Sequence, residues 1–374
     1  MKKTLIATAV ASAFSLNAFA DGHVSVSGYG ATGFELGDSE TGGVTTDGKT
    51  APNGGNTFLV IGGTNDLDNG SQSYVTMAFT TDLTQGGGAT TLRFGKVGLR
   101  GDFGDVSFGH GEQVYEVGQI IDPHIADFAG NSLTHTSLAG GAFTFTRMDD
   151  NVLVYGMNNI GIIKPTLVYG YGASAEVTGD GSGDGSVNGA TYDDSILQLA
   201  LDYNNGAGMN VQFAYANYAD VSPTSGFATN TAGNAEATGM RVTGSYDTGG
   251  YIIKGTYQQM ELDHAAAATS YTNTNYNGKT WKRDTMYMSV IVPVATGRIG
   301  AGYGTADDVS VDGVSVNESG SKVYSLSYQY DLSANTYVFA RFAKVSNDAE
   351  WDSTSAASAE GTTTSQIIGL KVSF

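Results

Sequence analysis

Apolar and polar side chains alternate with a period of two along this chain, in segments of about ten residues that recur to its last position. In the final segment Gln366, Ile368, Leu370, Val372 and Phe374 share one face, and Ser365, Ile367, Gly369, Lys371 and Ser373 share the other. Tyr324, Leu326, Tyr328 and Tyr330 alternate with Val323, Ser325, Ser327 and Gln329. Ile299, Ala301 and Tyr303 alternate with Arg298, Gly300 and Gly302, and Met240, Val242 and Gly244 with Arg241, Thr243 and Ser245. Successive side chains of a strand point to opposite faces. Each segment therefore has one face suited to lipid or a core and one suited to water.

The connections decide between architectures. Asn, Asp and Gly mark tight turns at 65–70, 101–104, 158–161, 204–208, 247–250, 293–297 and 331–335. Longer polar stretches lie near 36–56, 84–89, 111–146, 174–193, 219–236, 262–281, 306–320 and 346–363. Seven short and eight long connections alternate, so they join sixteen strands. A soluble sandwich has no reason to put every long loop on one side, and a fixed-period solenoid repeat is absent. An outer-membrane barrel has an even number of strands, short periplasmic turns and long external loops. The expectation is an all-β fold, a 16-stranded antiparallel transmembrane β-barrel with both termini on the short-turn side and an interior wide enough for water. The competing surface-protein reading, a barrel anchoring adhesive loops, predicts a plugged lumen instead.

The first twenty residues read as an export signal. Lys2 and Lys3 precede the apolar stretch Thr4 to Phe14, and Ala18-Phe19-Ala20 has the small-x-small pattern of a cleavage site. Residues 1–20 are thus a signal peptide and 21–374 a single barrel domain. Downstream there is no run of 18 apolar residues, and so no transmembrane helix; a barrel crosses a bilayer without one.

Composition narrows the chemistry. The chain has no Cys, which excludes disulfides and Cys-based metal or nucleophile sites. Its 53 glycines are about twice the usual ~7% share, against an α-rich globule. Eighteen Lys and Arg face 37 Asp and Glu; without Lys2 and Lys3, 16 bases remain and the formal charge is −21. No nucleic-acid partner fits that balance.

Arg93-Phe94-Gly95-Lys96-Val97-Gly98-Leu99-Arg100-Gly101-Asp102-Phe103-Gly104-Asp105-Val106-Ser107-Phe108-Gly109 resembles the strand–turn–strand signature of the Gram-negative general diffusion porins. Arg147-Met148-Asp149-Asp150-Asn151-Val152 resembles the family's Arg-x-x-Asn segment, and Phe374 its C-terminal assembly signal. The resemblance implies a homotrimer in the outer membrane of a Gram-negative bacterium, in contact with lipid and lipopolysaccharide. It also implies insertion by the barrel assembly machinery acting on the C-terminal strand. It implies a third loop, about His110 to Thr146, folded into the lumen. Glu112, Glu116, Asp122 and Asp127 would line one side of the constriction and Arg93 and Arg147 the other.

The family often carries a further Arg on its second strand, whereas Asn56-Thr57-Phe58-Leu59-Val60-Ile61 holds no base. Parity alone puts Arg241, Lys254, Arg298 and Lys371 on polar faces. The ~2–4 kcal/mol cost of a charge at the lipid midplane puts Arg341 inward. Lys96 has the opposite parity to Arg93 and is expected to face outward.

These features imply a passive, water-filled channel for ions and small hydrophilic solutes. Selection would be by width and by opposed charges, with a mild cation preference set by the excess of carboxylates. A substrate-specific pore for sugars or anions, with an aromatic track, would use the same Tyr and Phe residues; lipid-facing parity at Tyr303, Tyr324, Tyr328 and Tyr330 favours interfacial girdles. No enzyme is expected. The histidines at 23, 110, 124, 135 and 264 form no HExxH pair, and His135, Ser132 and Asp127 lack a nucleophile elbow. No cofactor is expected either. Asp180, Ser182 and Asp184 have the alternate oxygen ligands of a calcium loop without its distal Glu.

Overall fold

The computed structural model describes residues 22–41, 44–47, 51–53, 57–81, 90–112, 148–170, 191–192, 196–222, 235–264, 279–348 and 361–374. They form one closed antiparallel barrel of 16 strands. In chain order these are β1 (Gly22–Thr41), β2 (Thr57–Asp66), β3 (Gln72–Thr81), β4 (Thr91–Gly101), β5 (Gly104–Glu112), β6 (Met148–Gly156), β7 (Ile163–Gly170) and β8 (Ile196–Asn204). They continue as β9 (Met209–Ser222), β10 (Ala235–Asp247), β11 (Ile252–His264), β12 (Thr280–Val294), β13 (Gly297–Ala306), β14 (Ser321–Ser333), β15 (Thr336–Asn347) and β16 (Gly361–Ser373). Short paired segments at 44–47, 51–53, 191–192, 310–311 and 314–315 decorate the long-loop end.

Every strand pairs with its sequence neighbours, and β1 closes the ring. Its first part, Gly22 to Tyr29, pairs with β2; from Tyr29 to Thr41 it pairs with β16. The Phe374 N–H donates to the Gly28 carbonyl at 3.0 Å and the Phe374 main-chain oxygen accepts the Gly28 N–H at 3.1 Å, so this residue completes the seam. All seven tight turns fall where the Asn/Asp/Gly clusters predict them. At one, the Asp247 carboxylate accepts the Gly249 N–H at 2.8 Å while Gly249 adopts φ +83°, a conformation glycine takes without steric cost.

The two faces of the wall are inverted relative to a soluble protein. Outward side chains are apolar and bare: Val97 is 57% exposed, Leu326 53% and Ile368 67%. Inward side chains are shielded and mix small or apolar residues, such as Ala214, Ala216 and Val323, with polar ones, among them Gln198, Gln329, Thr243, Ser289, Ser325 and Ser327. A continuous apolar belt around a polar interior is a lipid-facing surface, far larger than the apolar patches soluble monomers expose. Tyr303, Tyr324, Tyr328 and Tyr330 stand on this outer face, with the Tyr303 and Tyr324 ring centroids 5.1 Å apart.

One expectation about facing is overturned. Between β3 and β4, Ala78 pairs with Phe94 and Phe79 with Leu92, so Arg93 is the extra residue of a β-bulge. An inserted residue shifts the alternation by one. Below the bulge Lys96 pairs with Thr76 and Gly109 on the face shared by Tyr74 and Ser107, while Val97 and Leu99 point out. Arg93 and Lys96 therefore both face inward, although three residues separate them.

Candidate functional site: the inner wall of the barrel

The inner wall is basic over much of its described surface. Arg93 on β4 is 7% exposed, and its guanidinium carbon lies 4.5 Å from the Phe58 ring centroid. Arg241 on β10, opposite Ala214 and Gln258, is 4% exposed and shares the inward face of Thr243. Lys254 on β11 lies between Ser245 and Ser289 on the same inward face as Thr256. Arg298 on β13 donates from Nη2 to Gln329 Oε1 at 3.2 Å. Arg341 is inward and buried, aligned along β15 with Phe339 and Ala343. Lys371 on β16 places its ammonium 3.5 Å from the Tyr29 ring centroid.

The inward acids of the strands are held by neighbouring side chains. Tyr74 donates to Asp105 at 2.6 Å, its ring lying over Gly98, where an added Cβ would come within 2.4 Å of it. Gln212 donates to Asp202 at 2.7 Å, Gln72 to Asp66 at 2.6 Å and Ser365 to Glu35 at 2.7 Å. Asp66, Gln72, Arg100, Asp105, Asn158 and Lys164 line a polar recess at the short-turn mouth.

Arg283, which the sequence reading passed over, anchors the connection 307–320 at the opposite mouth. It is 1% exposed on the inward face of β12, donating from Nε to the Asp307 carbonyl at 3.2 Å and from Nη2 to the Ser319 carbonyl. Ser319 locks the same segment: its Oγ accepts the Val309 N–H at 2.7 Å and donates to the Val316 carbonyl at 2.6 Å. In the sequence, Met286, Met288, Val290 and Val292 form one apolar face, and that parity puts Arg283 on the opposite, inner face with Thr285 and Ser289.

Other predicted positions lie outside the described residues: Glu116, Asp122, Asp127 and Arg147 of the third-loop constriction, and Asp180, Ser182 and Asp184 of the calcium-like segment. Glu112 is the last residue of β5, its backbone paired with Met148. No cluster of metal-ligating side chains occurs among the described residues. Phe374 is 65% exposed on the outer face, its ring packed over Gly28.

A closed membrane barrel with a charged, polar lumen defines a channel-forming outer-membrane protein. The family model described as "Gram-negative porin" matches residues 7–350. The chain belongs to that family, whose members are passive channels of the outer membrane and not enzymes. Solved structures share the fold at low identity. An anion-selective porin from Comamonas acidovorans is 16% identical with a TM-score of 0.68, covering 95% of this chain and 100% of its own. The in-vitro folded OmpT of Vibrio cholerae, trimer form, is 15% identical with a TM-score of 0.63, covering 95% and 100%. The outer membrane channel DcaP of Acinetobacter baumannii is 12% identical with a TM-score of 0.64, covering 95% and 98%. No curated protein matches the sequence.

Proposed function

We propose that this porin is a general diffusion channel for ions and small hydrophilic solutes, working as a homotrimer in contact with lipid and lipopolysaccharide. The observation that carries the reading is the inversion of the wall: a bare apolar outside around an inside where Ser, Thr, Gln, Arg and Lys stand among small and apolar residues. Such a lumen holds water and lets solutes pass down their gradients without an energy source. The trimer form of the structurally similar OmpT supports the assembly.

The constriction is assigned to the carboxylates of Glu112, at the end of β5, and of Glu116, Asp122 and Asp127 in the third loop, facing Arg93 and Arg147. Net selectivity is assigned to a different layer. The described wall carries Arg93, Lys96, Arg241, Lys254, Arg298, Arg341 and Lys371, which attract anions, whereas most of the chain's 37 acids fall in the long connections and the strand ends beside them. Cations are therefore preferred because the external vestibule is acidic, and the wall opposes that preference. Exposed vestibule charges are screened within ~3 Å at 1 M salt and over ~10 Å at 0.1 M, so the cation preference declines as salt rises.

Solute-swelling of liposomes containing the purified protein tests the diffusion reading. Swelling rates should fall smoothly with the size of neutral sugars and be indifferent to their stereochemistry. A saturable uptake confined to one sugar would replace this reading with that of a specific pore.

A further inference from the structure

On the second strand Phe58 faces the lumen, in register with the buried Thr80 of β3. Its ring is not isolated. Phe58 pairs across the sheet with Tyr29, and the two ring centroids are 5.1 Å apart at an interplanar angle of 45°. A cation sits against each ring: Arg93 at 4.5 Å from the Phe58 centroid and Lys371 at 3.5 Å from that of Tyr29. Four strands thus contribute one row of cation, ring, ring and cation. Small side chains beside the rings, Ala31 and Thr80, are buried below their level, while both rings keep partial exposure. The apolar surface continues onto β15, where Phe339 packs against Gly369 and Tyr337 lies 6.3 Å from Phe339.

We propose that this row is a binding subsite for small aromatic carboxylates passing through the lumen. An arginine in place of Phe58 would attract any anion by charge alone. Two rings flanked by two cations add a surface on which a planar apolar body can stack while its carboxylate meets Lys371 or Arg93. The flanking charges repel cationic aromatics, so the row is complementary to a ring bearing negative charge. Solutes with both features linger there and those with one feature pass. This rests on the reading of the protein as an open channel and gives that channel a preferred solute class.

The test is single-channel recording of the purified full-length porin in a planar bilayer, with benzoate, acetate or benzamide added to one side. Acetate lacks the ring and benzamide the charge. Benzoate should interrupt the ion current at least about fivefold more often than either control, the scale expected of one aromatic contact. Phe58→Leu and Lys371→Gln should each reduce the benzoate effect several-fold in protein whose gel mobility still shifts on heating. Equal effects of benzoate and acetate on the unsubstituted channel would overturn the subsite and leave the channel reading intact. That comparison decides the matter even if a variant fails to fold. A benzoate effect unchanged in both folded variants would also overturn it. A silent bilayer would overturn the channel reading, and the subsite with it.

Discussion

The Lys371 ammonium lies 3.5 Å from the centroid of the Tyr29 ring, on the seam where the last strand of the barrel closes on the first. Backbone pairing runs from Tyr29 to Thr41 along this seam, and the cation–ring contact adds a side-chain tie near its short-turn end.

That tie should be measurable as a coupling. Lys371→Met keeps the aliphatic stem and removes the charge, and Tyr29→Leu removes the ring. Each should lower unfolding stability by about 1 kcal/mol, and the double variant by less than the sum of the two. Urea titration followed by heat-modifiable gel mobility reads the cycle. Additive losses would mean that the contact contributes nothing.

The bulge at Arg93 predicts which residues of β4 meet water. The chain has no Cys, so a single introduced thiol reports without background. Lys96→Cys should react with a charged, water-soluble thiol reagent in the membrane-inserted protein, and Val97→Cys should not. The reverse pattern would restore the unbroken alternation and remove the bulge.

Arg283 holds two carbonyls of the 307–320 connection and is almost wholly buried. Arg283→Met should release that segment while the barrel persists, because strand pairing does not depend on the guanidinium. Limited proteolysis of the inserted protein should then cut between residues 307 and 320 at least about tenfold faster, the result of losing about 1.5–3 kcal/mol of charged hydrogen bonding. An unchanged cleavage rate would assign the hold to Ser319 and to the pairing of 310–311 with β12.

Gly98 makes room for Tyr74 to reach Asp105. Gly98→Ala would put a methyl group 2.4 Å from the Tyr74 ring, so the ring must swing away and lose its 2.6 Å hydrogen bond. A loss of about 1 kcal/mol is expected, and Tyr74→Phe in the Gly98→Ala background should cost little more. A full additional loss would show that the hydrogen bond survives the methyl group.

Strand number, turn positions and termini were legible because they depend on local chemistry. The alternation in 365–374 and the Asn, Asp and Gly clusters act within a few residues. Inward facing at Arg241, Lys254, Arg298 and Lys371 followed from the same parity; at Arg341, whose strand is apolar on both faces, it followed from the cost of a charge in lipid. Parity failed at Lys96 because a bulge is set by how two strands pair, and the run Arg93 to Arg100 bears no local mark of it. The row of Tyr29, Phe58, Arg93 and Lys371 was illegible for a related reason. Its members come from four strands, and the sequence offered only the missing arginine near Phe58.

Ion selectivity under a salt gradient tests the central claim most directly. In planar bilayers the purified porin should open in conductance steps grouped in threes, with a reversal potential favouring cations at 0.1 M salt and approaching zero at 1 M as the vestibule is screened. Folded protein that conducts nothing would contradict the account of an open diffusion channel. A cation preference that persists undiminished at 1 M salt would contradict its assignment to the acidic vestibule.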